Sequence, residues 1–426
     1  MSRFVSRAFF LCGVLAALSN GLVSAQGGSW EVFDISTAGF PSNTMRCLLQ
    51  DEAGILWAGT DFGLCRYDGS EWTVLQTTNS GLPSNDITCL AVDSLDRLWV
   101  GTLFNGIGIL DGEEWTYLNS SNGPFALDEI NGVTHDHRGW VWISTPLGLA
   151  CDTGEGWRLY DDSPESHLGF QFFLPNTRAV AVREDGLVSV ATVNAGLVYF
   201  TEEEFIYYTT FNSFFPDNST NAIALDSNGD RWLACPSGGL VWHSQDFQGG
   251  PWFAYNGFTL GLPDNSMTSV FVDANDQKIV GTQIAGVLLF NDASDWYTLD
   301  QENSGLPDNS VLSVLRDRDG VLWAGTATAG LARYAPTVGI ASAKGGMESF
   351  TAFPNPFQDR LTIRARQGHR VDTWALRDIS GRVLMTGTAV NDEPVMLDLG
   401  SLPNGTYSVM VNSGGMLGIL PVVRAN

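Results

Sequence analysis

Basic side chains are scarce in this chain of 426 residues: 22 lysines and arginines stand against 47 acids, and the formal charge is −25. The deficit is uneven, since residues 26–338 hold 40 acids and 12 bases while residues 339–426 hold 7 and 8. A body this acidic repels phosphate backbones and anionic membranes, and nucleic acid is therefore not an expected partner. Long apolar runs are also missing. The short run "AFFLCGVLAAL" follows Arg3 and Arg7 and precedes "LVSAQ", where Val23 and Ala25 fit a small-residue cleavage rule. Residues 1–25 therefore read as a secretory leader cut after Ala25. No later stretch reaches the roughly 18 apolar residues of a membrane helix, so no transmembrane segment is expected in the mature chain.

Cysteine is sparse and irregular. Cys47, Cys65, Cys89, Cys151 and Cys235 remain after the leader, and their odd number and scattered spacing argue against a disulfide framework. They read as small buried hydrophobes. Catalytic hardware is thin, with no Gly-rich phosphate loop, nucleophile elbow or Cys/His metal spacing. No catalytic residue, metal or cofactor is expected. His135 and His137 in "THDHRGW" have the residue type for a metal pair or a general base, yet they flank Asp136 on a repeated turn. His167 and His243 fall in inserted loops without evident partners. Asp226, Asn228 and Asp230 in "DSNGD" are spaced like calcium ligands, but the distal bidentate Glu of a full calcium loop is absent.

Helical apolar periodicity is missing as well, and repetition takes its place. "GFPSNTMRCLLQDEAGILWAGT" at 39–60 is echoed by "GLPSNDITCLAVDSLDRLWVGT" at 81–102 and by "GLPDNSVLSVLRDRDGVLWAGT" at 305–326. The unit recurs seven times. Its marker falls at Trp57, Trp99, Trp142, Ser189, Trp232, Ile279 and Trp323, at intervals of 42, 43, 47, 43, 47 and 44 residues. Each unit reads as four short antiparallel strands, the pattern of a β-propeller blade, and a lone four-stranded sheet must stack on neighbours to bury both faces. The fold expected is all-β: a seven-bladed propeller over 26–338. Its fourth strands open on Trp72, Trp115, Trp157, Phe205, Trp252 and Trp296, which makes six. The seventh unit stops at "LARYAP", and "SWEVF" supplies Trp30 at the vacant position. A strand over 29–36 is thus expected to close the last blade, replacing two exposed edges with a paired one.

The links from each fourth strand to the next first strand share the end of a propeller that usually holds ligands. Two of them are irregular: "DDSPESHLGFQFFLPN" at 161–176 and "TTFNSFFPDNST" at 209–220. Alignment on "GLP" gives Leu174 and Phe215 the buried Leu position and leaves Phe170, Phe172, Phe173, Phe211 and Phe214 without a repeat-defined role. Two readings stand side by side. The rings form an apolar or stacking platform, with Asp161, Asp162, Glu165 and Asn212 orienting a sugar or peptide, or the two inserts pack on each other as a cap.

The unit resembles the two-component regulator propeller repeat, which runs Gly-Leu-Pro, a strand, Asp-x-x-Gly, Trp-x-Gly-Thr and Gly-Leu. Units 1, 2 and 7 match closely, unit 4 has Ser189 for Trp, and unit 5 has "WLACPSGGL". Beyond a Gly-rich linker at 339–347, residues 348–426 alternate strands with Gly and Pro turns, as in a small Ig-like β-sandwich. They are similar to the type A sorting domain of type IX secretion, through Pro354, Asn355 and Pro356 before Phe357, through "DISGR" with Asp378 and Gly381, and through "LPNGTY" with Leu402, Gly405 and Tyr407. The resemblance implies a Bacteroidetes-like source, the type IX machinery as a partner, and a protein that is secreted or held at the outer-membrane surface; a monomer is expected. It implies non-enzymatic recognition of an extracellular glycan, peptide or protein. A lyase-like propeller enzyme and a structural or adhesive surface protein are the alternatives, because fold alone does not supply function.

Overall fold

The computed structural model describes residues 28–163, 166–167, 174–201, 204–244, 250–292, 295–336, 350–354, 357–365, 370–378, 383–389, 394–403, 405–413 and 416–424. The leader, the linker, Glu165, Phe170, Phe172, Phe173, Asn355, Pro356 and Gly381 lie outside them. Every regular element described is a strand.

Up to residue 336, the described strands form seven four-stranded antiparallel sheets. Sheet 1 joins Met45–Gln50, Leu56–Thr60, Leu64–Tyr67 and Trp72–Leu75 in sequence order. Sheets 2 to 6 repeat this meander over 87–118, 132–161, 177–208, 222–255 and 267–299. Sheet 7 holds Val311–Arg316, Leu322–Thr326 and Leu331–Pro336, and its fourth place is taken by Gly28–Phe33. That strand runs antiparallel to the third, with Gly28 opposite Pro336, Trp30 opposite Tyr334 and Phe33 opposite Leu331. It stops short of Ser36 because the Asp34 carboxylate accepts the backbone N–H of Ser36 and Thr37, which turns the chain. The first strand of each sheet lies against the first strand of the next, and that of sheet 7 lies against that of sheet 1. This closed cycle of sheets is the arrangement of a β-propeller.

Burial follows from stacking. All seven second strands, from Leu56–Thr60 to Leu322–Thr326, are buried at every residue because both faces are covered by neighbouring sheets. The glycine of Trp-x-Gly-Thr permits the close approach. A Cβ on Gly59 would strike Cys47 and Ile87 of the next sheet, and one on Gly101 would strike Cys89 and Ile130. The following threonine caps the hairpin: Thr60, Thr102 and Thr326 Oγ1 donate to the carbonyls of Gly63, Gly106 and Gly330.

The Asp and Trp of each unit form one device, which their separate sequence roles did not suggest. Trp57, Trp99, Trp142, Trp232 and Trp323 donate Nε1–H to Asp51, Asp93, Asp136, Asp226 and Asp317, at 2.8 to 3.1 Å. Where the Trp is missing, a neighbour compensates. In sheet 4 the place of the ring is taken from sheet 5 by Arg231, fully buried, whose Nε donates to Ser189 Oγ at 3.0 Å and whose guanidinium lies 4.2 Å over the Tyr199 ring. In sheet 6 Ile279 offers no donor, and Arg316 of sheet 7 reaches Asp273 at 2.9 Å instead.

Beyond the linker, a three-stranded sheet and a four-stranded sheet share one apolar core built on Phe350, Phe357, Leu361, Ile363, Leu376 and Val409.

Candidate functional site: an apolar crown at one end of the ring

In a four-stranded meander the hairpin between the second and third strands emerges at the same end as the link to the next sheet. The hydrogen bonds confirm that these segments form one surface. Gly106, Gly196, Gly286 and Gly330 in the hairpins donate backbone N–H to Asp128, Asn218, Asn309 and Asn43 in the links. Asp217, Asp264 and Asp308 in the links accept the backbone N–H of Ser237, Ile284 and Thr328 in the hairpins. The links 209–221, 256–266 and 300–310 thus each tie two neighbouring hairpins into the crown.

Large apolar side chains gather there. Phe211 and Phe258 are 95% exposed, Phe214 90%, Phe104 67%, Ile284 66% and Phe62 58%, and Ile35, Leu127 and Leu147 join them. Among the described residues of the seven sheets, the opposite end carries Leu95 as its exposed large hydrophobe, while Tyr117, Trp157, Phe205 and Phe253 lie on fourth strands. Singly scattered apolar residues are ordinary on a surface, whereas nine gathered at one end mark an interaction face.

The link architecture explains which positions are free to vary. A buried anchor, Phe40, Leu82, Phe125, Leu174, Phe215, Leu262 or Leu306, seats each link in the ring. An Asn then locks the turn. Asn79 accepts from Gln76 N–H and donates to the Val74 carbonyl, and Asn122 and Asn303 repeat the pattern. The residue just before that Asn is exposed at the turn, Ser121 in one link, where its Oγ donates to Asn119, and Phe211 in another. Phe258 precedes Thr259 in the next, where Thr259 Oγ1 holds the turn by accepting Asn256 N–H.

The candidate residues separate along these lines. Phe211 and Phe214 stand almost wholly in solvent, while Phe170, Phe172, Phe173 and Glu165 lie outside the described residues. Asn212 is the turn lock of its own link, with Oδ1 accepting Thr209 N–H and Nδ2 donating to the Tyr207 carbonyl. Asp161 ends a strand and accepts Ser163 N–H and Oγ–H, and Asp162 is exposed beside it. Sequence reasoning missed Phe258, Phe62, Phe104 and Ile284. The signal that finds them is the aligned repeat: the residue before the turn lock, and the third residue of the hairpin after Trp-x-Gly-Thr, where Asn194 and Ser237 show that no apolar residue is required.

Groups suited to chemistry are engaged elsewhere. Asp136, between exposed His135 and His137, is bound to Arg138, Trp140 N–H and Trp142. Asp226 accepts the N–H of Asn228 and Asp230, and Asp230 accepts Trp242 Nε1–H. Burial, with Arg231 adding repulsion, depresses His243 to about 3, and its Nδ1 meets Tyr199 Oη at 2.7 Å. Burial likewise pushes the thiols of Cys65, Cys89 and Cys151 to about 12. Among the described residues, no group of three His, Cys, Asp or Glu side chains is placed to hold a metal, and no helix is long and apolar enough to cross a membrane. A cleft of about 490 Å³ lies between sheets 1 and 2, lined in part by Trp57, Arg66 and Trp115; it is a seam between sheets that reaches the crown at Asn79, Ser80 and Gly81.

In the sorting region Tyr407 is buried and donates its hydroxyl to the Pro403 carbonyl at 2.6 Å. Leu402 packs on the core, Gly405 opens the strand Gly405–Ser413, Asp378 closes the strand Thr373–Asp378, and Pro354 follows Phe350–Phe353.

Comparison with known proteins places these features. The family described as two component regulator propeller matches residues 39–62, 81–104 and 305–328, and the secretion system C-terminal sorting domain matches 351–418. The first two propeller matches end on Phe62 and Phe104, so the repeat runs from one crown segment to the next. No curated protein sequence matches the chain. Among solved structures it is similar to PorZ of Porphyromonas gingivalis, an essential surface component of the type-IX secretion system. Identity there is 19% and the TM-score 0.59, over 92% of this chain and 60% of that one. It is similar also to the extracellular domain of a putative hybrid two component system from B. thetaiotaomicron, at 19% identity and a TM-score of 0.61, over 93% and 57%. Virginiamycin B lyase from Staphylococcus aureus is 11% identical with a TM-score of 0.55, over 72% and 99%. The chain spans about three fifths of the length of the first two, and these likenesses are of fold. The sorting domain marks the chain for export by type IX secretion to the cell surface or beyond it.

Proposed function

We propose that this chain, which carries two component regulator propeller repeats ahead of a secretion system C-terminal sorting domain, is a seven-bladed propeller that recognises a ligand outside the cell through its crown and performs no chemistry on it. The observation that carries the reading is the gathering, among the described residues, of nine exposed apolar side chains at one end of the ring, against one at the other. Removing them would leave the buried anchors and turn locks in place, so folding does not explain them. Engagement of the acids in tryptophan and arginine bonds supports a binding role over catalysis. On this reading residues 26–338 form the propeller, closed by the strand at 28–33. Residues 348–426 form an Ig-like sandwich, a reading supported by the bond from Tyr407 to the carbonyl four residues upstream, as in a tyrosine corner.

The test is an array of glycans, peptides and proteins probed with the full chain and with a Phe104→Ser, Phe258→Ser variant. Saturable binding of one ligand class, lost in the variant while the unfolding curve is unchanged, is the expected result. Adhesion without any saturable ligand, or new unsaturated ends in incubated polysaccharides, would overturn it.

A further inference from the structure

The crown has a second property, independent of its apolar side chains. Its described links and hairpins cover 34–44, 60–63, 76–86, 102–106, 119–131, 145–148, 161–163, 166–167, 174–176, 192–196, 209–221, 235–239, 256–266, 282–286, 300–310 and 326–330, and they contain twelve acids with no lysine or arginine. The opposite end is mixed: Arg97, Arg138, Arg183 and Arg318 in its turns pair with Asp93, Asp136, Asp185 and Glu52. Near the crown, Arg46 is already joined to Asp86, and Arg178 is exposed on the first strand of sheet 4. Backbone N–H groups that bond Asp217, Asp264 and Asp308 fix these carboxylates without cancelling their charge. At Asp61, beside exposed Phe62, Oδ1 is shielded from water and has no hydrogen-bond partner. A shielded, unpaired carboxylate oxygen is costly unless a donor arrives.

On the reading that the crown is the recognition face, we infer that its ligand is a cationic polypeptide segment in which arginine or lysine side chains are interleaved with apolar ones. The negative field draws such a segment in and rejects anionic ligands. The exposed phenylalanine rings receive apolar side chains, the aliphatic stems of the basic residues, and cationic heads over their faces. A neutral sugar fits less well. The Asn79, Asn122, Asn212 and Asn303 amides that would bind its hydroxyls are committed to turn locks. Aliphatic Ile35, Leu127, Leu147 and Ile284 offer no flat stacking face.

The experiment uses the full chain and a fluorescein-labelled twelve-residue peptide alternating arginine with leucine and phenylalanine, read by anisotropy. Its comparators are the same peptide with glutamate for arginine, an oligo-arginine of equal charge, and a panel of neutral oligosaccharides. The arginine peptide binds saturably and more weakly as salt rises. Phe62→Ser with Phe104→Ser lowers its affinity about tenfold or more, the effect of losing central apolar anchors. Asp61→Asn lowers it by a smaller factor, and circular dichroism of the variants is unchanged. Equal binding of the glutamate peptide, or of oligo-arginine regardless of the Phe substitutions, overturns the inference. A neutral oligosaccharide that binds, and is lost in the Phe variant, overturns the cationic ligand while leaving the crown as the recognition face. Retention of every ligand by the Phe variant overturns both.

Discussion

Replacing Trp30 with Ala probes the strand that joins the two ends of the ring. Trp30 is half-buried against sheet 7, its ring centroid 4.9 Å from that of Tyr334, and its Nε1 donates to Ser304 Oγ at 3.2 Å in the link entering the same sheet. Loss of about 100 Å² of buried ring surface costs about 2.5 kcal/mol. The lost aromatic pairing and hydrogen bond cost about 1 kcal/mol each. Residual burial in the denatured chain reduces the total, leaving about 3–4 kcal/mol. Trp157→Ala is the control. Trp157 opens the fourth strand of sheet 3, it is 36% exposed, and its strand is held by the hairpin within its own sheet. The assay is urea unfolding of the full chain by far-ultraviolet circular dichroism, following the propeller transition. Trp30→Ala should lower the midpoint clearly more than Trp157→Ala, and deletion of 28–33 should lower it further, since it exposes the edge from Leu331 to Pro336. Equal effects of the two tryptophan substitutions, or a deletion variant as resistant as the parent, would refute the closing role.

The tryptophan–aspartate device makes an acid-dependent prediction. Burial of Asp93 acts to raise its pKa, but hydrogen bonds from Trp99 and Arg97 outweigh it and hold the carboxyl below its ordinary value. A depressed carboxylate contributes stability that is present above the unfolded pKa and lost as pH falls through the folded one. Trp99→Phe should therefore destabilise by about 2–3 kcal/mol at neutral pH, and the gap from the parent should narrow below about pH 4; a gap unchanged at pH 3 would contradict it. At the compensated site, Ser189→Ala strips an acceptor from a fully buried guanidinium and should cost about 1–3 kcal/mol. Arg231→Met removes the buried charge itself and should be near neutral or stabilising. Urea midpoints in the reverse order would show that Arg231 holds sheets 4 and 5 together by its charge.

Much of the ring is legible in the sequence because three constraints recur at fixed spacing, all together in units 1, 2 and 7 and in part in the others: a glycine where sheets approach closely, a threonine that caps a hairpin, and a tryptophan six residues beyond its aspartate. What stays hidden is whatever acts between units. Arg231 stands where five of the other units have Leu or Val and the sixth has Lys278, and only the stacking of sheet 5 on sheet 4 shows that it fills the space beside Ser189, 42 residues earlier. The crown is obscured for a different reason. A phenylalanine in a link has the composition of core, as buried Phe40 and Phe215 are, and exposed Phe211 and Phe258 each stand just four positions before the buried anchor of their own link, Phe215 and Leu262. Attention to the irregular links at 161–176 and 209–220 led to Phe211 and Phe214 but passed over Phe258, whose link has ordinary length.

Hydrogen exchange of the full chain, with and without the best ligand from the array, tests the crown most directly, because it reports where the ligand sits without any substitution. Protection confined to the links and hairpins of the crown, above all 60–63, 102–106, 209–221 and 256–266, is the predicted result. Protection centred on the turns of the opposite end, around Leu95 and Asp136, with the crown exchanging as freely as before, would contradict the account.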